Sequence, residues 1–285
     1  MIARRLSIVV LVAVQCACAA SADSEQVIDS VKRLEQSVGF RPTGNFDHVD
    51  ARVTAYYRCY FTGKRELPDS YVHLSLREGT KDGCRLDEQK YDVFFYPIEA
   101  VASGHAPVTE SLTAASAERV ATVVPHEDFH EQIQRLPDVI GEAAATLVGF
   151  LTGAAALGNP QTEAGLFRRK AELINRYYTR LAALYQSERR PARALEEKQA
   201  LFASLQTECA AILPNPRSFN KCVSAPNNAG LAFDHSYTKY YPLLYEVFNA
   251  CRQELKCTIA KIVGAPKKKP EAEVVRYFRA AASGF

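Results

Sequence analysis

The sequence predicts an α+β protein that is mainly α-helical, with a small strand-containing N-terminal region followed by a helical body. Two short segments before residue 100 are rich in β-branched and aromatic residues, whereas apolar residues recur at helical spacing almost everywhere after Ala114. The 285 residues are 47% hydrophobic and 24% charged, which is the composition of a globular protein. Disordered, collagen-like and coiled-coil chains are thereby excluded.

Residues 1–22 have the pattern of a secretory signal peptide. Two arginines precede an apolar stretch over residues 6–14, and small residues end the segment with an A-x-A cleavage signal. Because this stretch is too short to cross a bilayer, we expect a secreted or periplasmic protein with no membrane span in its mature chain. A lipid anchor is less favoured, since the residues before Cys16 and Cys18 match such a signal poorly.

The first part of the mature chain, residues 23–113, is predicted to contain one helix and two strands. The helix is expected over 24–37. The segments SYVHLSL (70–76) and YDVFFY (91–96) have the composition typical of strands, and a Gly- and Asp-rich turn separates them. A hairpin of these two strands is the simplest arrangement.

The second part, residues 114–285, is predicted to be a helical body that forms a single domain, 23–285, with the first part. Prolines punctuate its helical spacing and set the expected helix boundaries. The predicted helices cover 114–124, 125–135, 141–156, 160–187, 191–212, 229–256 and 271–282.

Charge gives no reason to expect a nucleic-acid partner. The chain has 35 basic and 32 acidic residues, and loss of Arg4 and Arg5 with the signal peptide would leave 33 against 32. The basic run at 267–269 is flanked by prolines and is interpreted as a solvated linker. The expected partner is therefore not a polyanion.

Six cysteines would remain after cleavage, and an even number in an exported chain favours disulfides. The sequence leaves their connectivity open, but their grouping favours three local pairs. A zinc–thiolate site is the disfavoured alternative, because the sequence holds no C-x-x-C pair. The expected pairs are Cys59–Cys84, Cys209–Cys222 and Cys251–Cys257.

The pentapeptide HEDFH, residues 126–130, carries the clearest chemical signal. On a helix, His126 and His130 lie one turn apart on the same face, so both imidazoles can bind one metal ion. Glu127 lies at the rim of that face, where it can act as general base toward a water molecule. This H-E-x-x-H spacing is typical of zinc hydrolases, with Zn²⁺ as cofactor. A solvated acidic helix with two incidental histidines is the alternative.

Glu142 is the candidate for the third protein ligand that a catalytic zinc requires. It lies near the start of a helix that a short turn at Pro137 would bring back alongside the first, and the alanines at 143–145 would let the two helices approach closely. A favourable interaction with the helix N-terminus is a second, compatible role. Pro125 is expected to be the first residue of the helix that carries the histidines.

The sequence resembles the gluzincin-type zinc metallopeptidases and, among them, the bacterial putative aminopeptidase family. The resemblance rests on HEDFH, on GEAAAT from residue 141, on the segment 181–205 and on NNAGLAFDHSYTKYYP from residue 227, and it covers about residues 120–245. It implies a zincin-like helical body and aminopeptidase activity on peptide or protein substrates.

The resemblance also implies roles for Tyr237, Asn227 and Asn228, and His235 is a further candidate near them. Tyr237 is the first candidate for a hydrogen-bond donor to the oxyanion and His235 the second, although either side chain could instead belong to the core. Asn227 and Asn228 would orient the substrate backbone, or would cap the helix that begins near Ala229.

The leading hypothesis is an exported zinc peptidase that removes N-terminal residues from peptides. One alternative is a non-catalytic, disulfide-stapled exported binding protein that keeps a peptidase-like fold. Another is hydrolysis of a non-peptide amide or ester, which the same water-activating site could support.

Overall fold

The computed structural model describes residues 24–187, 190–212 and 222–284, and the predicted signal peptide lies outside these ranges. Three strands precede most of the helices, which confirms the predicted α+β, mainly helical class. The elements in chain order are α1 (24–38), β1 (Tyr56–Gly63), β2 (Ser75–Glu78), β3 (Tyr91–Ile98), α2 (Glu110–Thr113), α3 (Ala117–Gln132), α4 (Asp138–Ala156), α5 (Thr162–Ser187), α6 (Pro191–Ile212), α7 (Asn228–Thr238), α8 (Tyr241–Ala250), α9 (Leu255–Val263) and α10 (Glu271–Ala282).

The strands form one antiparallel sheet in the order β2-β1-β3. On the central strand, Tyr60 pairs with Leu76 of β2 and with Phe94 of β3. The predicted hairpin is therefore wrong, because β2 and β3 each pair with β1 and not with one another. β1 is absent from the predicted elements because YYRCYFTG has aromatic side chains at both odd and even positions and so lacks the alternation that marks a half-buried strand.

The segment before β2 also differs from the prediction. Residues 71–73 form a single 3₁₀ turn, and the strand begins only at Ser75. The turn is held by long-range contacts to α7, since the backbone N–H of Tyr71 donates to Ser236 Oγ at 2.8 Å. Local β propensity is overridden here by tertiary contacts.

α3 runs unbroken from Ala117 to Gln132, so the expectation that a helix begins at Pro125 is wrong. The helix begins instead after Ser116, whose side chain accepts a hydrogen bond from the backbone N–H of Arg119. Pro125 has no N–H to donate to the carbonyl of Ala121. The helix continues through this turn because the turn packs closely against Gly153 of α4.

The predicted helix 229–256 is divided into α7, α8 and the first residues of α9. Pro242 lies in the first turn of α8, where a proline loses no intrahelical hydrogen bond. Arg252 and Gln253 end α8 in left-handed conformations, with φ of 56° and 62°. The apolar spacing of residues 229–256, which predicted one helix, therefore continues across two helix boundaries.

α4 is the central helix of the body, and all its residues from Val139 to Gly153 are buried. α4 is long and apolar enough to cross a membrane, but 83% of its most apolar window is buried inside the protein. It is therefore a core helix, and the described residues contain no clear membrane span.

The three expected disulfides are those observed. Cys59–Cys84 attaches the central strand to a 3₁₀ turn at Lys81–Cys84. Cys209–Cys222 links the end of α6 to the segment before α7, and Cys251–Cys257 bridges α8 and α9. Each closes a local loop, which stabilises the fold by constraining the unfolded chain.

Candidate metal centre and cleft

α3 and α4 bring three potential metal ligands together. His126 and His130 lie one turn apart on α3, and their Nε2 atoms are 3.2 Å apart. Glu142, in the second turn of α4, places its Oε2 at 3.5 Å from each of these two atoms. The structure thus unites the three side chains that the sequence analysis selected as ligands.

This donor set fits a zinc ion. Tetrahedral Zn²⁺ with bonds of about 2.0–2.2 Å requires ligand atoms about 3.3–3.6 Å apart. The three observed separations, 3.2, 3.5 and 3.5 Å, are close to those values. Glu142 Oε2 is also buried and has no hydrogen-bond donor. A buried carboxylate oxygen whose nearest partners are two imidazole nitrogens at 3.5 Å is poorly satisfied, and a metal ion bound at this point would satisfy it.

The charges within this cluster oppose the effect of burial. Burial disfavours the charged form of His130, but the Glu142 carboxylate outweighs it and raises the pKa of His130 to about 9. Burial likewise opposes ionisation of Glu142, yet the two imidazoles hold the pKa of Glu142 well below its usual range. Because a metal-binding imidazole must be neutral, metal binding at neutral pH would release a proton from His130.

Two glycines of α4 allow the helices to come close enough for the ligands to meet. A Cβ atom on Gly149 would lie 2.8 Å from the carbonyl oxygen of Thr122 and 3.2 Å from His126 Cβ. A Cβ atom on Gly153 would lie 2.5 Å from the carbonyl oxygen of Ala121, the carbonyl that Pro125 leaves without its helical partner. The alanines at 143–145 are fully buried, but the tightest approach is at these glycines.

Tyr71 holds the other oxygen of Glu142 and was not among the predicted site residues. Its hydroxyl donates to Glu142 Oε1 at 2.7 Å, which leaves Oε2 facing the two histidines. Burial first, and then the Glu142 carboxylate, raise the pKa of Tyr71, so its hydroxyl remains a donor. Sequence spacing gives no signal for this contact, because the two residues are 71 positions apart.

Glu127 lies beside the cluster and lines the same cleft. Its Oε2 accepts a hydrogen bond from the backbone N–H of Ala102 at 2.7 Å, which fixes the carboxylate at the rim of α3. Burial raises the pKa of Glu127. A raised pKa makes this carboxylate a better proton acceptor, as a general base requires.

Tyr237 also lines the cleft. Its ring centroid is 6.2 Å from that of His126 and 6.2 Å from that of Tyr71. Burial and the nearby Glu142 carboxylate keep the pKa of Tyr237 well above its usual value, so the hydroxyl is protonated and can donate. The position suits the oxyanion-stabilising role that the family resemblance implies.

The structure does not place His235 among the residues that line the cleft. Its ring stacks on Tyr178 at 3.7 Å between centroids, and Nδ1 donates to the carbonyl oxygen of Asp69 at 2.7 Å. Burial lowers the pKa of His235 to about 4, so the ring is neutral. His235 instead anchors the segment that precedes Tyr71.

Asn227 and Asn228 also have structural partners in place of a substrate. Asn227 is the N-cap of α7, where its side chain accepts from the backbone N–H of Gly230 and donates to the carbonyl oxygen of Val93. Asn228 is fully buried and donates to backbone carbonyls of the segment after β1. The capping alternative therefore describes Asn227, and neither asparagine lines the cleft.

Asp128, in the middle of HEDFH, attaches α3 to the N-terminal region. It is fully buried and accepts hydrogen bonds from Lys32 Nζ, Thr43 Oγ1 and Asn45 Nδ2. A second buried carboxyl group, Glu35, lies next to it, and burial together with the Asp128 charge raises the pKa of Glu35 to about 9. Asp128 is thus a structural anchor on the side of α3 that faces α1.

The cluster opens into a cleft of about 450 Å³, a size that suits a small ligand. The helices contribute the three potential metal ligands and, in addition, Glu127 and Tyr237. The sheet and the Tyr71 turn supply the facing wall, which is mostly apolar. The wall residues are Arg58, Tyr60, Tyr71, Val72, Leu74, Leu76, Ile98, Ala100 and Val101.

A family model described as "Putative aminopeptidase" matches residues 77–274, which is more than half of the chain and includes the cluster, Glu127 and Tyr237. The chain belongs to this family. Membership of the putative aminopeptidase family points to a peptidase, in agreement with the resemblance drawn from HEDFH and its neighbours. Neither a curated protein nor a solved structure matches the chain. Tyr71 and Arg58 precede the matched residues, so the comparison does not extend to them.

Proposed function

We propose that this protein is an exported, zinc-dependent peptidase that acts as an aminopeptidase. The observation that carries the proposal is the convergence of His126, His130 and Glu142 at tetrahedral separations, with Glu127 beside them in an open cleft. Family membership favours peptides as the substrate. Three disulfides in the described chain favour an oxidising compartment and so support export.

In this proposal, His126, His130 and Glu142 would hold the metal through Nε2, Nε2 and Oε2. A zinc ion in such a site supplies an activated water nucleophile and polarises the scissile carbonyl group. The tyrosine hydroxyl on Glu142 Oε1 keeps the ligand oxygen directed at the histidines.

Glu127 and Tyr237 would carry the remaining chemistry. Glu127 accepts a proton from the attacking water through its carboxylate and later delivers that proton to the departing amine. The Tyr237 hydroxyl donates a hydrogen bond to the carbonyl oxygen as negative charge develops on it. The hydrogen bond from the Ala102 N–H holds the Glu127 carboxylate in place beside the three candidate ligands.

The test compares Glu127→Gln with wild-type protein on a panel of peptides, amides and esters. We expect zinc to remain bound and the fold to be unchanged, while peptide hydrolysis falls by at least about 100-fold because the general base is lost. Glu196→Gln, which removes an exposed carboxylate on α6, is the matched control and should keep full activity.

Three outcomes would change this assignment. A folded wild-type protein that binds no zinc and cleaves no substrate would favour the exported binding protein. Hydrolysis of esters or amides without peptide cleavage would favour the non-peptide hydrolase. Unchanged peptide hydrolysis in Glu127→Gln would refute the role of Glu127.

A further inference from the structure

We propose that Arg58 binds the C-terminal carboxylate of the substrate, so that the cleft takes short apolar peptides with a free carboxyl end. This inference rests on the proposed peptidase function and adds the substrate class to it. Three observations support it: the position of Arg58 in the cleft, the charges of the other cleft residues, and the apolar lining between Arg58 and the candidate metal ligands.

Arg58 lies on the face of the sheet that forms the wall opposite the helices. It lines the same cleft as the histidines and Glu127, and its side chain is 22% exposed. Tyr60, two residues further along β1, points to the same face about 7 Å away. The Tyr60 ring contacts Tyr71, at 6.1 Å between centroids, and Tyr71 in turn bonds Glu142. Arg58, Tyr60 and Tyr71 thus follow one another along the cleft wall toward Glu142.

The charges in the cleft favour a carboxylate over an amine at this end. Among the described residues that line it, Arg58 is the one Lys or Arg side chain, and the acidic side chains are Glu127 and Glu142. Both carboxylates already have assigned tasks, one as base and one as metal ligand. A guanidinium group offers five donors in a planar fork that matches a carboxylate, so Arg58 is suited to a substrate carboxyl group.

The existing partner of Arg58 leaves room for this contact. Arg58 Nη1 donates to Glu78 Oε1 at 2.9 Å across the β1–β2 pair, but the Glu78 side chain is 68% exposed. An ion pair at such an exposed position is weak, because solvent screens it and the long side chains lose entropy. The other guanidinium nitrogen atoms can bind a ligand without loss of the fold.

The cleft between Arg58 and the cluster is apolar. Leu74, Leu76 and Val72 line it, and the last two are 46% and 44% exposed, which is unusual for large aliphatic side chains. Tyr60 adds an aromatic surface. A substrate with apolar side chains near its carboxyl end would cover this surface.

The experiment uses full-length mature protein and a di- to tetrapeptide series of Leu and Phe residues, each as free acid and as C-terminal amide. For wild type, we expect the acid to have about a 10- to 100-fold higher kcat/KM than the amide, since one charge-assisted contact is lost on amidation. Arg58→Gln should lower kcat/KM for the acid about 10- to 100-fold, so that the difference between acid and amide disappears.

Arg77→Gln is the matched control. Arg77 is on the neighbouring strand but on the opposite face of the sheet, where its guanidinium lies 5.5 Å from the Phe61 ring centroid. Its replacement removes the same charge and should preserve the preference for the acid. Arg58→Lys keeps the positive charge but loses the planar guanidinium fork, so it should retain only part of the preference for the acid.

Calorimetric binding of the same peptides to zinc-loaded Glu127→Gln protein separates this inference from the proposed function. If no peptide is cleaved by wild type but the acid binds at least about tenfold more tightly through Arg58, the peptidase proposal fails and the carboxylate site stands. If peptides are cleaved and bound equally as acid and amide, or if Arg58→Gln keeps the preference, the carboxylate site is refuted.

Discussion

The two walls of the cleft differ in how strongly the sequence specifies them. The α3–α4 pair places its functional groups by helical spacing, because the histidines are four positions apart and one short turn joins the two helices. The sheet wall places Arg58, Tyr60 and Tyr71 through pairings and contacts between distant segments. A motif therefore defines the wall that carries the candidate metal ligands, whereas tertiary structure defines the wall that would meet the substrate.

The largest expected effect comes from disturbing the helix pair at its closest point. In Gly149→Ala, the new Cβ would lie 2.8 Å from the carbonyl oxygen of Thr122, so the two helices must move apart. We expect a loss of about 1–3 kcal/mol in the free energy of unfolding, measured by urea denaturation, together with weaker zinc binding. Gly165→Ala is the control, since its Cβ would meet only the Tyr245 hydroxyl at 3.4 Å.

Equal stability of the Gly149→Ala and Gly165→Ala variants would show that the glycine contact does not control the approach of α3 to α4. Reduced stability with unchanged zinc affinity would show that the ligand positions tolerate a wider separation of the helices.

The next effect tests whether the sheet wall supports the metal wall. Tyr71→Phe removes the hydrogen bond to Glu142 Oε1 and leaves the aromatic packing in place. We expect the dissociation constant for zinc, measured by chelator competition, to rise about 10- to 100-fold. Tyr60→Phe, in the same aromatic group, should leave the zinc affinity unchanged because no hydrogen bond to Glu142 is removed. A Tyr71→Phe variant with wild-type affinity would refute the support role of Tyr71.

The change expected to disturb the cleft least concerns the buried carboxyl pair behind α3. Because the pKa of Glu35 is raised from 4.5 to about 9 in the folded protein, the folded state keeps a proton that the unfolded state releases. Folding stability from this group is complete below about pH 4.5 and declines as the pH rises toward 9. Glu35→Gln has no such proton, so its stability relative to wild type should rise as the pH increases from 5 to 9.5.

Urea unfolding at those two pH values measures this change, and the exposed Glu25→Gln on the same helix is the control. A stability difference between Glu35→Gln and wild type that is constant with pH would contradict the raised pKa of Glu35.

The convergence of His126, His130 and Glu142 was predictable because its information is local. Two histidines at helical spacing and a glutamate early in the next helix need only one short turn to meet. The same reasoning failed at Pro125, where it applied a rule about isolated helices. Packing of the 121–125 turn against Gly153 keeps α3 continuous despite the missing hydrogen bond.

The sheet wall was only partly predictable. β3 follows from its composition, but β1 lacks alternation, and its role as central strand depends on two distant partners. Tyr71 and Arg58 belong to no sequence motif, and each acquires its position from the pairings of β1 or from contacts with α7. His235 was a candidate oxyanion donor and Asn227 a substrate-binding residue implied by the resemblance, yet their side chains hold backbone segments of the fold.

The most direct test of the metal centre is the anomalous scattering at the zinc absorption edge from crystals of the purified, zinc-loaded protein. We predict a single strong peak between Nε2 of His126, Nε2 of His130 and Oε2 of Glu142, at about 2.0–2.2 Å from each atom. A well-ordered site with these side chains in place and no peak among them, or a peak elsewhere, would contradict the proposed zinc site.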